Sequence, residues 1–135
     1  MTNKGKRRMC LFLFFLLTML TAILKSNYRV YIYENNIFDY HFADTFVNII
    51  YVPACTCLYY YFAKNPKNSL GCIIAMLVAV LIMYEFLCLF VPYGAFDIYD
   101  IIATIGSGVA TYLLLKHTSI LPKPENNKPE EAIVE

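Results

Sequence analysis

Four apolar runs, each at or near the length that crosses a bilayer, constrain this chain more than any other feature. The first, MCLFLFFLLTMLTAIL, holds 16 uncharged residues between Arg8 and Lys25. Three more cover residues 41–63, 69–91 and 98–116, and a hydrocarbon core asks for roughly 20 residues of helix. The 135-residue chain is 59% hydrophobic and 16% charged, against a soluble balance nearer ~45–50% and ~25%. A water-soluble domain of this size cannot hide so much apolar surface, so the excess must face lipid. The expected fold is all-α, a single four-transmembrane-helix bundle with helices at about 9–26, 41–63, 69–91 and 98–116. A net charge of +1 gives no electrostatic case for nucleic acid.

The ends and connections differ from the runs. Residues 1–8 form a basic stub carrying Lys4, Lys6, Arg7 and Arg8. It resembles the start of a secretory signal, but LTAILKSN offers no A-x-A-like cleavage site, so the first run is taken as an uncleaved helix. Residues 27–40, NYRVYIYENNIFDY, suit an interfacial loop or surface segment rich in tyrosine. KNPKN at 64–68 makes a short turn, with Asn68 or Ser69 capping the next helix. Pro92-Tyr93-Gly94 closes the third span. The tail, 118–135, is rich in Pro, Asn and Glu and is expected to be disordered.

Loops of a four-span protein alternate sides. Lys4, Lys6, Arg7, Arg8, Lys64, Lys67, Lys116 and Lys123 fall on one side, while Lys25 and Arg29 fall on the other. The positive-inside rule then predicts both termini in the cytoplasm. Glu34, Asp39, Asp44, Asp97 and Asp100 gather at the outer side.

The polar residues inside the spans point to a site. His41, Asp44, Asn48, Tyr51 and Cys55 recur at steps of three or four, which is one helix face. Glu85 lies about 10 Å beneath Pro92 at ~1.5 Å per residue, and Thr104 a turn below Asp100. An ionised side chain facing lipid costs at least ~2.5–3.5 kcal/mol. The reading therefore expects His41, Asp44, Asn48, Glu85, Asp100 and Thr104 to turn inward around an outward-facing acidic pocket. Such carboxylates must share a proton or a cation, with Glu85 the candidate for a carboxyl that keeps its proton. The competing structural reading makes Asn48, Thr104 and Ser107 interhelical hydrogen bonders only. His41 then sits at the water interface and Tyr51 packs. Pro53 should kink its helix, with a neighbour satisfying the freed carbonyl. Gly106, Ser107 and Gly108 give the fourth span a narrow waist.

The five cysteines are odd in number and lie inside apolar segments, so they read as packing residues rather than a disulfide framework. His41 and His117 are too far along the chain from Cys55 and Cys57 to suggest a metal site. No cofactor is expected. GxGxxG, P-loop, GxSxG and HExxH signatures are missing. With no nucleophile or metal set, intramembrane catalysis by paired carboxylates ranks last among the functions considered.

Glu85 near a span's end, a Pro-Gly turn and then FDIYDIIATIGSG resemble the closing motif of the VanZ-like membrane proteins. The likeness covers about residues 28–116, with Glu85, Asp100 and Gly106 or Gly108 at corresponding places. The family's Gln three after its Glu is Cys88 here, its Asn four after the Asp is Thr104, and its Arg before the Asp has no counterpart in 93–99. The resemblance implies a multi-pass envelope protein of the bacterial inner membrane. The expected role is binding a cationic or lipid-headgroup ligand on the envelope side. A proton- or cation-coupled carrier acting as an oligomer is the second reading, and a structural or accessory subunit the third. Membrane lipids, a small ligand or cation, and a second copy or larger membrane complex are the expected partners.

Overall fold

A computed structural model describes residues 2–63, 68–91, 96–118 and 120–122. Among these residues the regular structure is entirely helical. Four helices are long and apolar enough to cross a membrane: α1 (Asn3–Glu34), α2 (Phe42–Phe62), α3 (Leu70–Cys88) and α4 (Ile98–His117). This is the build of a multi-pass membrane protein. The expected turns at Lys64–Lys67 and Pro92-Tyr93-Gly94, and the tail from Lys123, lie outside the described residues.

The first helix departs most from expectation. It does not end near residue 26, and residues 27–34 are not a loop. Thr2 caps its start by accepting from the Gly5 N–H at 3.3 Å. After Gly5 no glycine or proline interrupts the chain until Pro53, so the loss of hydrophobicity at Lys25 does not stop the helix. Residues Leu24–Tyr28 form a π-helical turn, in which the Arg29 N–H reaches the Leu24 carbonyl. The end comes at Asn35-Asn36. Asn36 takes the left-handed conformation with φ of 51°. The N–H groups of Asn36 and Ile37 return to the Tyr33 and Ile32 carbonyls at 3.3 and 3.1 Å. That is a Schellman ending, and asparagine is the usual substitute for glycine at its left-handed position. At ~1.5 Å per residue α1 is about 48 Å long, so its ends reach beyond a ~30 Å hydrocarbon core.

The other three helices match their expected spans within a few residues, except that α3 stops at Cys88 rather than near 91. Each start has its own device. The Asp39 carboxylate accepts from the Ala43 N–H at 2.6 Å, placing an anion at the N-terminal dipole of α2. Ser69 accepts from the Cys72 N–H at 3.3 Å and caps α3. Asp97 accepts from the Tyr99 N–H at 2.8 Å and caps α4. At its other end α4 carries Lys116 and His117 in the last turn, which suits the dipole there.

Helix α2 is the hub. It packs against α1, α3 and α4, and α4 also packs along α3. Its buried residues include Phe46, Val52, Ala54, Cys57 and Tyr60. The seams are made of small and hydroxyl side chains. Thr21, Thr45, Thr56 and Thr104 each donate to the carbonyl four residues back along the chain, so their polarity is spent locally. Pro53 has no N–H for the Ile49 carbonyl. The Ser107 hydroxyl of α4 supplies the missing donor at 2.6 Å. Gly108 gives α3 its close approach, since a Cβ there would meet Val78 Cγ2 at 2.7 Å, whereas one on Gly106 would meet nothing within 4 Å. The narrow waist is thus Ser107 and Gly108. Large apolar side chains such as Phe12, Phe15 and Met19 of α1 and Val80 of α3 point outward and stay exposed, as a lipid-facing surface requires.

At the end holding the first residues, Arg7 donates to the Tyr61 carbonyl from both Nε and Nη2 at 2.9 and 2.6 Å, closing the C-terminus of α2. Cys10, Cys57, Tyr60 and Ile73 form the core there, with Leu121 packed on it. Lys6 Nζ also donates to the Leu121 carbonyl at 3.3 Å. Residues 120–122 are therefore docked against the bundle, not loose as the tail was expected to be. Cys72, by contrast with Cys10 and Cys57, is exposed rather than packed.

Candidate functional site

The opposite, distal end of the bundle is different in character. Helix α1 finishes there, α2 and α4 begin there, and α3 arrives with its last turn. Each contributes polar side chains to one cavity of about 540 Å³. From α1 come Lys25, Arg29 and Tyr33, at steps of four and hence on one face. From α2 come Asp44, Val47, Asn48 and Tyr51; from α3, Tyr84 and Glu85; and from the start of α4, Asp97 and Asp100.

Four of the six expected site residues meet in this cavity: Asp44, Asn48, Glu85 and Asp100. The other two do not. Thr104 is 1% exposed and its hydroxyl is committed to the Asp100 carbonyl at 2.7 Å, so it packs the seam below the cavity. His41 is exposed and stacks on Tyr99 with ring centroids 4.6 Å apart. It faces a neighbouring hollow of about 320 Å³ that shares Tyr33 and Asp44 with the main cavity. Its steric situation is unusual: Tyr40 and His41 both have positive φ, 56° and 64°. The loop therefore folds back sharply enough for Asp39 to reach the start of α2.

Two kinds of charge meet in the cavity. Arg29 Nη2 pairs with Asp44 Oδ1 at 3.0 Å, and the Tyr33 hydroxyl donates to the same oxygen at 2.7 Å. Arg29 is a counter-charge that the sequence reading missed, because it counted this residue only as a loop cation. The signal was available: Lys25, Arg29 and Tyr33 keep helical spacing with no breaker between them. Asp97, Tyr84 and Tyr51 were likewise not placed in the site.

The acidic side is less satisfied. Glu85 is 6% exposed, lines the cavity, and has no hydrogen-bond or ion-pair partner among the described residues. Asp100 faces Asn48 and has Asp97, Asp44 and Arg29 for charged neighbours, yet its Oδ1 is buried without a hydrogen-bond partner. Helix position separates the acids further. Asp44 and Asp100 stand in the first turns of α2 and α4, where the dipole favours an anion. Glu85 stands in the last turn of α3, where it does not. Because α3 ends at Cys88, Glu85 also sits nearer the helix end than its distance from Pro92 implied.

Unpaired buried carboxylates are costly unless a partner arrives. The arrangement can take up a cationic group between Glu85 and Asp100, with Tyr51 and Tyr84 also in the lining. Among the described residues no three His, Cys, Asp or Glu side chains converge as ligands of one metal ion would. The volume falls within the ~300–1,000 Å³ of small-molecule sites. No family model, curated protein or solved structure matches this chain.

Proposed function

We propose that this chain is a binding protein of a bacterial cytoplasmic membrane. It takes a small organic cation into the cavity at the distal ends of its helices. The observation that carries this reading is Glu85: a nearly buried carboxylate that lines the cavity, lacks a partner and sits beside Asp97 and Asp100. Both termini lie in the cytoplasm in this proposal, and the cavity opens on the envelope side. The basic residues support that orientation, because Lys4, Lys6, Arg7, Arg8 and Lys116 crowd the proximal end. The two cations at the distal end, Lys25 and Arg29, both line the cavity, so they have a local reason to be there. The VanZ-like resemblance fits the same picture, since its Glu and Asp correspond to Glu85 and Asp100.

Thermal unfolding in detergent with added ethanolamine tests the reading. A ligand at a hundred times its Kd stabilises by about 2.7 kcal/mol. Wild type should show a saturable rise in Tm, and Glu85→Gln should show none. Without ligand the Gln variant should be no less stable than wild type, because it removes an unpaired buried charge. An equal rise in both proteins would remove Glu85 from the site and defeat the proposal.

A further inference from the structure

The cavity has a second unpaired charge, of the opposite sign. Lys25 lines it from α1 and, unlike Arg29, has no ion-pair or hydrogen-bond partner among the described residues. Lys25 and Glu85 therefore face one space without touching. They stand on different helices that both pack on α2: Lys25 on α1 and Glu85 on α3. Asp44 and Arg29, in the same cavity, pair with each other at 3.0 Å.

A simple cation would satisfy Glu85 and Asp100 but leave Lys25 repelling it across the cavity. A simple anion would satisfy Lys25 and be repelled by three carboxylates. A molecule carrying both charges a few bonds apart meets both poles. We infer that the ligand is a zwitterion, a primary ammonium joined by a short linker to a phosphate or carboxylate. Its ammonium lies at Glu85 and Asp100 and its anionic group at Lys25. This inference rests on the cation-binding reading above and narrows its ligand class. The cavity lies among helix ends with Tyr33, Tyr51 and Tyr84 in its lining, the depth at which headgroups and interfacial tyrosines meet. A phospholipid headgroup and a free zwitterion share the required chemistry.

The test uses the full chain in phosphatidylglycerol nanodiscs, whose headgroups lack an ammonium. Tm is followed against phosphoethanolamine, ethanolamine and inorganic phosphate for wild type, Lys25→Gln and Glu85→Gln. Phosphoethanolamine should stabilise wild type at concentrations at least tenfold below ethanolamine. Lys25→Gln should bring the two ligands level, and Glu85→Gln should abolish both responses. Equal potency of the two ligands in wild type, or a Lys25→Gln variant that keeps the preference, overturns the zwitterion while leaving cation binding intact. No response to either amine overturns cation binding as well. Repeating the titration in phosphatidylethanolamine nanodiscs separates the sources. A raised starting Tm that soluble phosphoethanolamine no longer increases identifies the lipid headgroup. An unchanged soluble response identifies a free ligand.

Discussion

Pro53 deprives the Ile49 carbonyl of its backbone donor, and Ser107 makes the bond instead from 58 positions away along the chain. The two residues should therefore be energetically coupled. Ser107→Ala alone strands a carbonyl in an apolar seam and should cost about 0.6–1 kcal/mol, as interhelical hydrogen bonds in membranes do. In a Pro53→Ala background the backbone N–H returns, and the same Ser107 change should cost little. A double-mutant cycle followed by thermal unfolding measures this, and strict additivity would contradict the geometry. The need for a donor was readable from the proline, whereas its identity depends on how α4 slides along α2. Gly108 makes a second residue-level contrast. Gly108→Ala forces a Cβ against Val78 Cγ2 and should lower stability by about 1–3 kcal/mol. Gly106→Ala, in open space, should be neutral or stabilising through helix propensity alone. Both glycines look alike in the sequence GSG, and only the seam tells them apart.

Among the elements, α1 differs most from what hydropathy predicts. Hydropathy marks where a helix leaves hydrocarbon, not where it ends, and so it truncated α1 near residue 26. The true ending was written in local chemistry, as Asn-Asn after an unbroken helical stretch. Asn36 carries the left-handed turn. Asn36→Ala should destabilise by about 1 kcal/mol and Asn36→Gly should not, because only the former adds a left-handed penalty. Thermal unfolding of the two variants distinguishes a Schellman ending from a frayed one. The extension matters for the site because Arg29 and Tyr33 ride on it, and together they hold Asp44. Three of the site's acidic members, Asp44, Glu85 and Asp100, were legible, since carboxylates in apolar runs stand out, whereas Asp97 was not placed there. The basic wall was not legible, because a loop assignment hid the helical spacing of Lys25, Arg29 and Tyr33. Thr104 and His41 were misplaced for a related reason. Spacing gives the face of a helix, but not whether a hydroxyl turns back on its own carbonyl or a ring finds an aromatic neighbour.

On the scale of the whole molecule, the two ends of the bundle do different work. The proximal end is closed by Arg7 on the Tyr61 carbonyl and by Leu121 on the core, while the distal end opens a charged cavity between helix termini. The four-helix architecture was plain from the apolar runs, because their composition leaves few alternatives. The two-ended polarity was only partly so. A reporter fused after Glu135 should be active in the cytoplasm and silent in the envelope, and the opposite result would reverse the cavity's side. The cavity itself is proposed to hold a small organic cation. Equilibrium binding of radiolabelled ethanolamine to the purified chain tests it most directly, with Glu85→Gln as the comparison. One saturable site per chain, lost in the variant, is the expected result. Equal binding to both proteins, or none to wild type, would contradict it.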